Sequence, residues 1–145
     1  MSTNSRFAVG VHILTLLALQ QKSLPSAAIA GSVNTNPVVI RRILGALHKA
    51  GLVNTQQGAE GGASLARSPA QITLRDVYCA VQAGGLFAMH HSQPNPLCPC
   101  GRHIQPLLAT AFEKAENAMK MALAETTIAQ AAQAIETFQN SSREL

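Results

Sequence analysis

Aromatic side chains are nearly absent: 145 residues hold no tryptophan, one tyrosine and four phenylalanines. A core must therefore be filled by Ala, Leu, Ile and Val, and apolar residues at 47% of the chain are enough to fill one. An alanine-rich composition favours helix, so a mainly α protein is expected. The three cysteines (Cys79, Cys98 and Cys100) do not make a secreted disulfide framework. No apolar run is long enough to span a bilayer. The N-terminal stretch "MSTNSRFAVGVHILTLLALQQK" is broken by His12 and Thr15 and lacks a basic n-region. No signal peptide or membrane partner is expected, and the expected location is cytoplasmic. There is no nucleotide-binding glycine motif and no paired carboxylate site. A nucleophile at Cys98 or Cys100 with a histidine base would lack a third, orienting group. No enzyme activity and no catalytic residue are expected; a thiol enzyme and a DNA-independent interaction module are the contrasting readings.

What is present is a charge asymmetry. The net charge is +4, but residues 1–78 carry seven basic groups against two acids, and residues 79–145 four against five. The N-terminal half is therefore at +5 and the rest at −1. A basic half suggests a polyanionic partner. Chance imbalance on a solvated surface would look the same.

The apolar spacing explains where that charge sits. Residues 5–21 place Phe7, Val11, Leu14, Leu17 and Ala18 on one helical face, with Ser5 as a candidate N-cap. A short helix follows over 26–33, with Pro25 at its start, and then the turn "NTN". Asn36 is a good N-cap and Pro37 a good first residue for a helix over about 37–50, closed by Gly51. Val39, Ile43, Leu44 and Leu47 form its core face, and Arg41, Arg42, His48 and Lys49 fall largely elsewhere. A short helix, a three-residue turn and a longer basic helix are the pattern of a helix-turn-helix. Residues 51–68 then give two β-prone runs joined by glycines, a hairpin in the position of a wing. Glycines 58, 61 and 62 are expected to serve the positive φ of a tight hairpin. A helix from Thr73 to Gln82 follows, with Leu74, Val77, Tyr78 and Val81 on its apolar face and Cys79 close to it as a small core residue.

Residues 84–101, "GGLFAMHHSQPNPLCPCG", form a loop rich in Gly, Pro and His. Beyond it, Ile104, Leu107, Leu108, Ala111, Phe112, Ala115, Ala118, Met119, Ala122 and Leu123 recur at three- and four-residue steps. That stripe is about 20 residues, roughly 30 Å of helix. It outruns a small winged-helix core, so a second copy of the chain is the simplest partner, with Leu108, Phe112 and Met119 in the dimer interface. Packing on its own domain is the other use. A last helix over about 128–138 folds back. The organisation expected is a winged helix-turn-helix domain at 1–83, the Cys/His/Pro-rich loop at 84–101 and dimerisation helices at 102–145.

The order "RFAVGVHILTLLA", "NTNPVVIRRILGALHKAGLV" and "GAEGGASLARSPAQITLRDVYCAV" resembles the Rrf-type family of bacterial winged-helix regulators, which includes IscR, NsrR and CymR. The tail "LFAMHHSQPNPLCPCGRHIQPLL" resembles its YwnA-like branch. The resemblance covers almost the whole chain. It implies a homodimeric transcription factor, most often a repressor, that binds a palindromic double-stranded DNA operator and dimerises through a long C-terminal helix. In a helix-turn-helix the second helix enters the major groove N-terminus first. Thr35, Asn36, Pro37, Val38 and Arg42 would then face the DNA, with Arg41 close by and Gln56, Gln57 and Ser64 available from the wing. A solvated basic helix is the plain alternative. Iron–sulfur members carry three cysteines spaced roughly C-x5-C-x5-C before the long helix, whereas this loop holds Cys98 and Cys100 alone. No cofactor is therefore expected. The alternative is an iron–sulfur cluster or zinc on Cys98, Cys100 and His103, with His90 or His91 as further candidates. Cys98 would sit at a helix N-cap with Pro99 next and Arg102 and His103 within a turn, a setting that favours thiolate. Both loop cysteines are candidate sensor thiols for oxidation or electrophiles. Inert cysteines in a turn are the other reading.

Overall fold

The computed structural model describes residues 3–82 and 84–143. Six helices and one hairpin follow in order: α1 (Thr3–Gln20), α2 (Ser26–Val33), α3 (Pro37–Lys49), β1 (Val53–Gln56), β2 (Gly62–Leu65), α4 (Leu74–Val81), α5 (Pro99–Leu123) and α6 (Ile128–Arg143). A 3-10 turn at Pro69–Gln71 precedes α4. Ser5 lies inside the first turn of α1 and is not its cap.

The core is aliphatic, as the lack of aromatics requires. Ile13, Leu14 and Leu17 of α1 meet Ile29 of α2, Ile40, Ile43 and Leu47 of α3, and Val77 of α4. Thr15 is buried among them and donates its hydroxyl to the Val11 carbonyl at 2.7 Å, so that hydroxyl is not orphaned. One aromatic pair contributes: Phe7 packs edge-on against Tyr78 at 5.7 Å. On α3 the buried face is Ile40, Ile43, Leu44 and Leu47. The expected Val39 is half-buried at its margin, because α1, α2 and α4 close on the side that Ile40 occupies.

Two asparagines shape the turn between α2 and α3. Asn34 adopts the left-handed conformation (φ 63°, ψ 52°) that ends α2, a geometry asparagine tolerates better than most residues. Asn36 is extended, and its Oδ1 accepts from the N–H groups of Val38 at 2.7 Å and Val39 at 3.4 Å. Pro37 takes the first helical position, where a missing N–H costs nothing. At the other end Gly51 has φ +77°, and its N–H reaches the His48 carbonyl while that of Leu52 reaches the Leu47 carbonyl. This is a Schellman stop, and the paired Leu47 and Leu52 are both buried.

The strands pair antiparallel, Val53 with Leu65 through Gln56 with Gly62. Leu24 adds a third rung by exchanging backbone bonds of 2.8 and 2.9 Å with Ala63. Of the hairpin glycines, Gly58 has positive φ. Gly61 and Gly62 are needed for a different reason from the one expected: a Cβ at Gly61 would collide with the Gln56 carbonyl, and one at Gly62 with the backbone of Leu24.

Two reciprocal caps tie the C-terminal helix to this domain. Thr73 and Asp76 cap α4, and Thr127 and Gln130 cap α6 in the same way. Between them, Leu74 N–H bonds the Thr126 carbonyl and Ile128 N–H bonds the Ile72 carbonyl. Ile72 and Ile128 are fully buried, and α6 packs along α1. The helix runs to Arg143, beyond Phe138 where its apolar pattern stops. The long helix α5 spans 25 residues, about 37 Å, yet none of its residues is buried. It begins at Pro99, inside the range the sequence reads as loop, and carries Pro106 in its interior. Phe87 stacks on Phe112 at 4.7 Å, one of its few attachments within the chain.

Candidate nucleic-acid interface

The buried face of α3 leaves the opposite face to solvent. Val38, Arg41, Arg42, Gly45, His48 and Lys49 are all exposed there. Their spacing confines them to about one third of the helix circumference. Val38, 54% exposed at the helix entrance, is a large apolar side chain without a core role. The N-cap fixes where this face begins, and the Schellman stop fixes where the chain leaves it for the wing.

The charge on this face is unneutralised within the chain. The ion pair found among the described residues joins Lys120 to Glu116 at 3.7 Å on α5, far along the chain from α3. Arg41, Arg42 and Lys49 have no acidic partner among the described residues. Thr35 is half-buried and gives its N–H to the Ala30 carbonyl. Asn36 is exposed, but its Oδ1 is committed to the cap. Pro37 is half-buried. Gln56 and Gln57 are exposed at the end of β1 and beyond it, and Ser64 is half-buried in β2.

The hairpin stands beside α3 and leaves a groove between them. Arg41, Gly45 and His48 line one wall, and Thr55, Gln56 and Gln57 the other. His48 bridges the two, with Nδ1 3.1 Å from the Val53 carbonyl. The sequence reading placed Arg41, Gln56 and Gln57 near the partner. It missed Gly45 and His48, whose signal was helical spacing from Arg41 combined with a wing position that no local pattern reveals.

The cysteines are all exposed and unpaired by disulfides. For Cys79 this corrects the expectation of a small core residue. It lies one position past Tyr78, off the face that α1 covers. Cys98 takes the N-cap position of α5 and Pro99 the first helical position. The turn is set by Asn95, whose Oδ1 accepts from Leu97 N–H at 2.9 Å and whose carbonyl accepts from Cys98 N–H at 3.2 Å. Backbone N–H groups of Gly101, and then of Cys100, lower the pKa of the Cys98 thiol from its ordinary value. Among the described residues no three His, Cys, Asp or Glu side chains converge as metal ligands, so Cys98, Cys100 and His103 do not form such a group.

Comparison with known proteins gives a consistent result. A family model described as "Rrf2: Iron-dependent Transcriptional regulator" matches residues 3–134. The chain is 47% identical over 126 residues to YwnA of Bacillus subtilis strain 168, described as an HTH-type transcriptional regulator, covering 86% of this chain and 92% of that one. A crystal structure described as a DNA-binding protein superposes with a TM-score of 0.70 at 38% identity, over 87% of this chain and 97% of the other. IscR of T. potens shares the fold with a TM-score of 0.68 at 23% identity, over 96% of this chain and 90% of the other.

Proposed function

Since this chain belongs to the Rrf2 family of transcriptional regulators, we propose that it is a homodimeric repressor that binds a roughly palindromic operator and releases it when a thiol before α5 is modified. DNA-binding regulation is the family's activity, and the winged-helix architecture here matches it. The observation that carries the proposal is the exposed face of α3. It is basic, unneutralised and capped at a defined start beside a wing.

In this reading α3 enters the major groove. Val38 meets a thymine methyl, and Arg42 takes guanine O6 and N7. Arg41, Gln56 and Gln57 hold backbone or minor-groove positions. The incompletely covered stripe on α5 supports the dimer. A 25-residue helix with no fully buried side chain leaves Leu108, Phe112 and Met119 half-buried, and a second copy would cover the rest of their surface. Two copies would present two α3 helices to successive half-sites, about 34–36 Å apart. Such a regulator works in the cytoplasm. Among the described residues no helix is long and apolar enough to cross a membrane.

The family description names iron, and the donors of this chain do not fit an iron–sulfur cluster or a zinc site. Cys98 and Cys100 are two residues apart, a spacing that does not share a helix face, and no third ligand joins them among the described residues. The signal is assigned instead to thiol chemistry at Cys98, supported by its lowered pKa and its exposure. Its thiolate attacks a small disulfide; one S–S bond forms as the other breaks, and the displaced thiolate takes up a proton. A mixed disulfide at the start of α5 would alter the dimer helix and, through it, half-site spacing.

Electrophoretic shift of the DNA upstream of the protein's own gene tests the proposal, with and without prior treatment by oxidised glutathione. A shift that weakens with salt and is lost on treatment, then restored by dithiothreitol, is expected. No shift at low salt would overturn the DNA reading; a shift indifferent to treatment would overturn the thiol signal.

A further inference from the structure

We propose that the groove between α3 and the wing seats one phosphodiester of the DNA backbone on Gly45, held between Arg41 and His48, and that His48 engages it in protonated form. This rests on the DNA-binding reading above and adds the role of a glycine and a histidine that the reading does not use.

The glycine is the first observation. Gly45 sits in the interior of α3, where glycine is disfavoured against alanine. A Cβ built there would meet nothing within 4 Å. No packing within the chain requires the missing side chain, whereas Gly10 on α1 faces Val77 at 3.0 Å. Gly45 is exposed and lines the groove, so the space its side chain would fill is left to something outside the chain.

The histidine is the second. His48 follows Gly45 by three residues and Arg41 precedes it by four, so the three share one helix face. A backbone carbonyl can only accept, so His48 Nδ1, 3.1 Å from the Val53 carbonyl, carries its proton and donates it. Nε2 has no partner among the described residues. It can donate to a phosphate oxygen only when it too is protonated, which makes the ring a cation.

The bound phosphate favours that cation, and it does so against the protein groups that face His48. On α3 these are Arg41 across Gly45 and Lys49 next in sequence, both basic. The wing wall offers Thr55, Gln56 and Gln57, all neutral, with Glu60 at the exposed tip; the start of α2 offers Ser26. No acid lines the groove to take the phosphate's place. With α3 in the major groove and the wing at the neighbouring minor groove, the sugar–phosphate strand that divides those grooves passes between them. Contacts to that strand set register and carry no sequence information.

Fluorescence anisotropy with a 40-base-pair duplex of mixed sequence at low salt, on the full chain, tests the seat. Gly45→Ala should raise the melting temperature by about 1–4 °C and yet weaken binding about tenfold on any sequence. A residue with a merely structural role would move stability and affinity in the same direction. Because the seat needs His48 protonated on both nitrogens, wild-type affinity should rise about fivefold from pH 8 to pH 6, and His48→Gln should flatten that rise. Gly45→Ala binding as tightly as wild type, or a pH profile unchanged in His48→Gln, would overturn the seat while leaving DNA binding intact. Absence of salt-dependent binding by the wild type would overturn both.

Discussion

Ala115→Glu isolates the assembly of two chains from the folding of one. Ala115 lies at the centre of the α5 stripe, between Phe112 and Met119, and is exposed in the single chain. Exchanging it for another good helix former on an exposed surface should change monomer stability by less than about 0.5 kcal/mol. In a two-fold dimer the same position meets its partner's stripe, and the substitution enters twice. A carboxylate forced against apolar surface costs about 2–3 kcal/mol per copy after partial relaxation. Two copies cost about 4–6 kcal/mol, a weakening of the dimer by about 10³–10⁴-fold. Sedimentation equilibrium at micromolar concentration, with circular dichroism as the folding control, measures this. The variant should be a folded monomer with a helical spectrum like the wild type's. A variant that stays dimeric, or a wild type that sediments as a monomer, would refute the reasoning, and the incomplete burial of the α5 stripe would need another explanation.

Leu108→Glu, Phe112→Glu and Met119→Glu should behave alike in sedimentation, with Phe112→Glu also losing its stacking on Phe87 and hence some thermal stability. Arg42→Ala should cost specific operator binding about 1–3 kcal/mol if the guanidinium reads a base edge; an unchanged operator dissociation constant would remove Arg42 from the interface. Asn36→Ala removes the cap of α3 and should lower unfolding free energy in urea by about 1 kcal/mol, and an unchanged midpoint would contradict the cap. The lowered pKa of Cys98 leaves more thiolate at a given pH, so its iodoacetamide labelling should reach half-maximal rate at lower pH than an ordinary exposed thiol; peptide mapping that finds Cys79 labelled faster at neutral pH would overturn that ranking.

The parts of this fold legible in the sequence are those written in local chemistry. Asn36-Pro37 announces a helix start because one side chain caps and the other needs no hydrogen bond, and Gly51 announces its end because it accepts positive φ. Thr73 is readable as a cap for the same reason. What escaped depends on partners distant in the chain. Val39 and Ile40 are adjacent and both apolar, and periodicity cannot choose between them; the helices that close over α3 choose Ile40. Leu24 joins the hairpin through a single residue facing Ala63, which leaves no alternating pattern to detect. Gly61 and Gly62 look like turn glycines, but their need arises from backbone passing overhead. Cys79 reads with its apolar neighbours because the next residue on a helix lies 100° away, and whether that flank is covered depends on where α1 lies. The same limit applies to the interface: Arg41 is visible as charge, whereas its grouping with Gly45, His48 and Gln56 exists only once the wing stands beside α3.

The salt dependence of operator affinity tests the central claim most directly. Of the three permanent cations on the exposed face of α3, Arg42 is assigned to a base edge, so Arg41 and Lys49 of each chain are left for phosphate and a bound dimer brings four. If each of the four neutralises one phosphate, log K against log salt should fall with a slope of about −4 between 50 and 200 mM. That slope, with a stoichiometry of two chains per duplex, is the expected result. A slope near zero would contradict binding through this face, and a slope of about −2 with one chain per duplex would contradict the dimer.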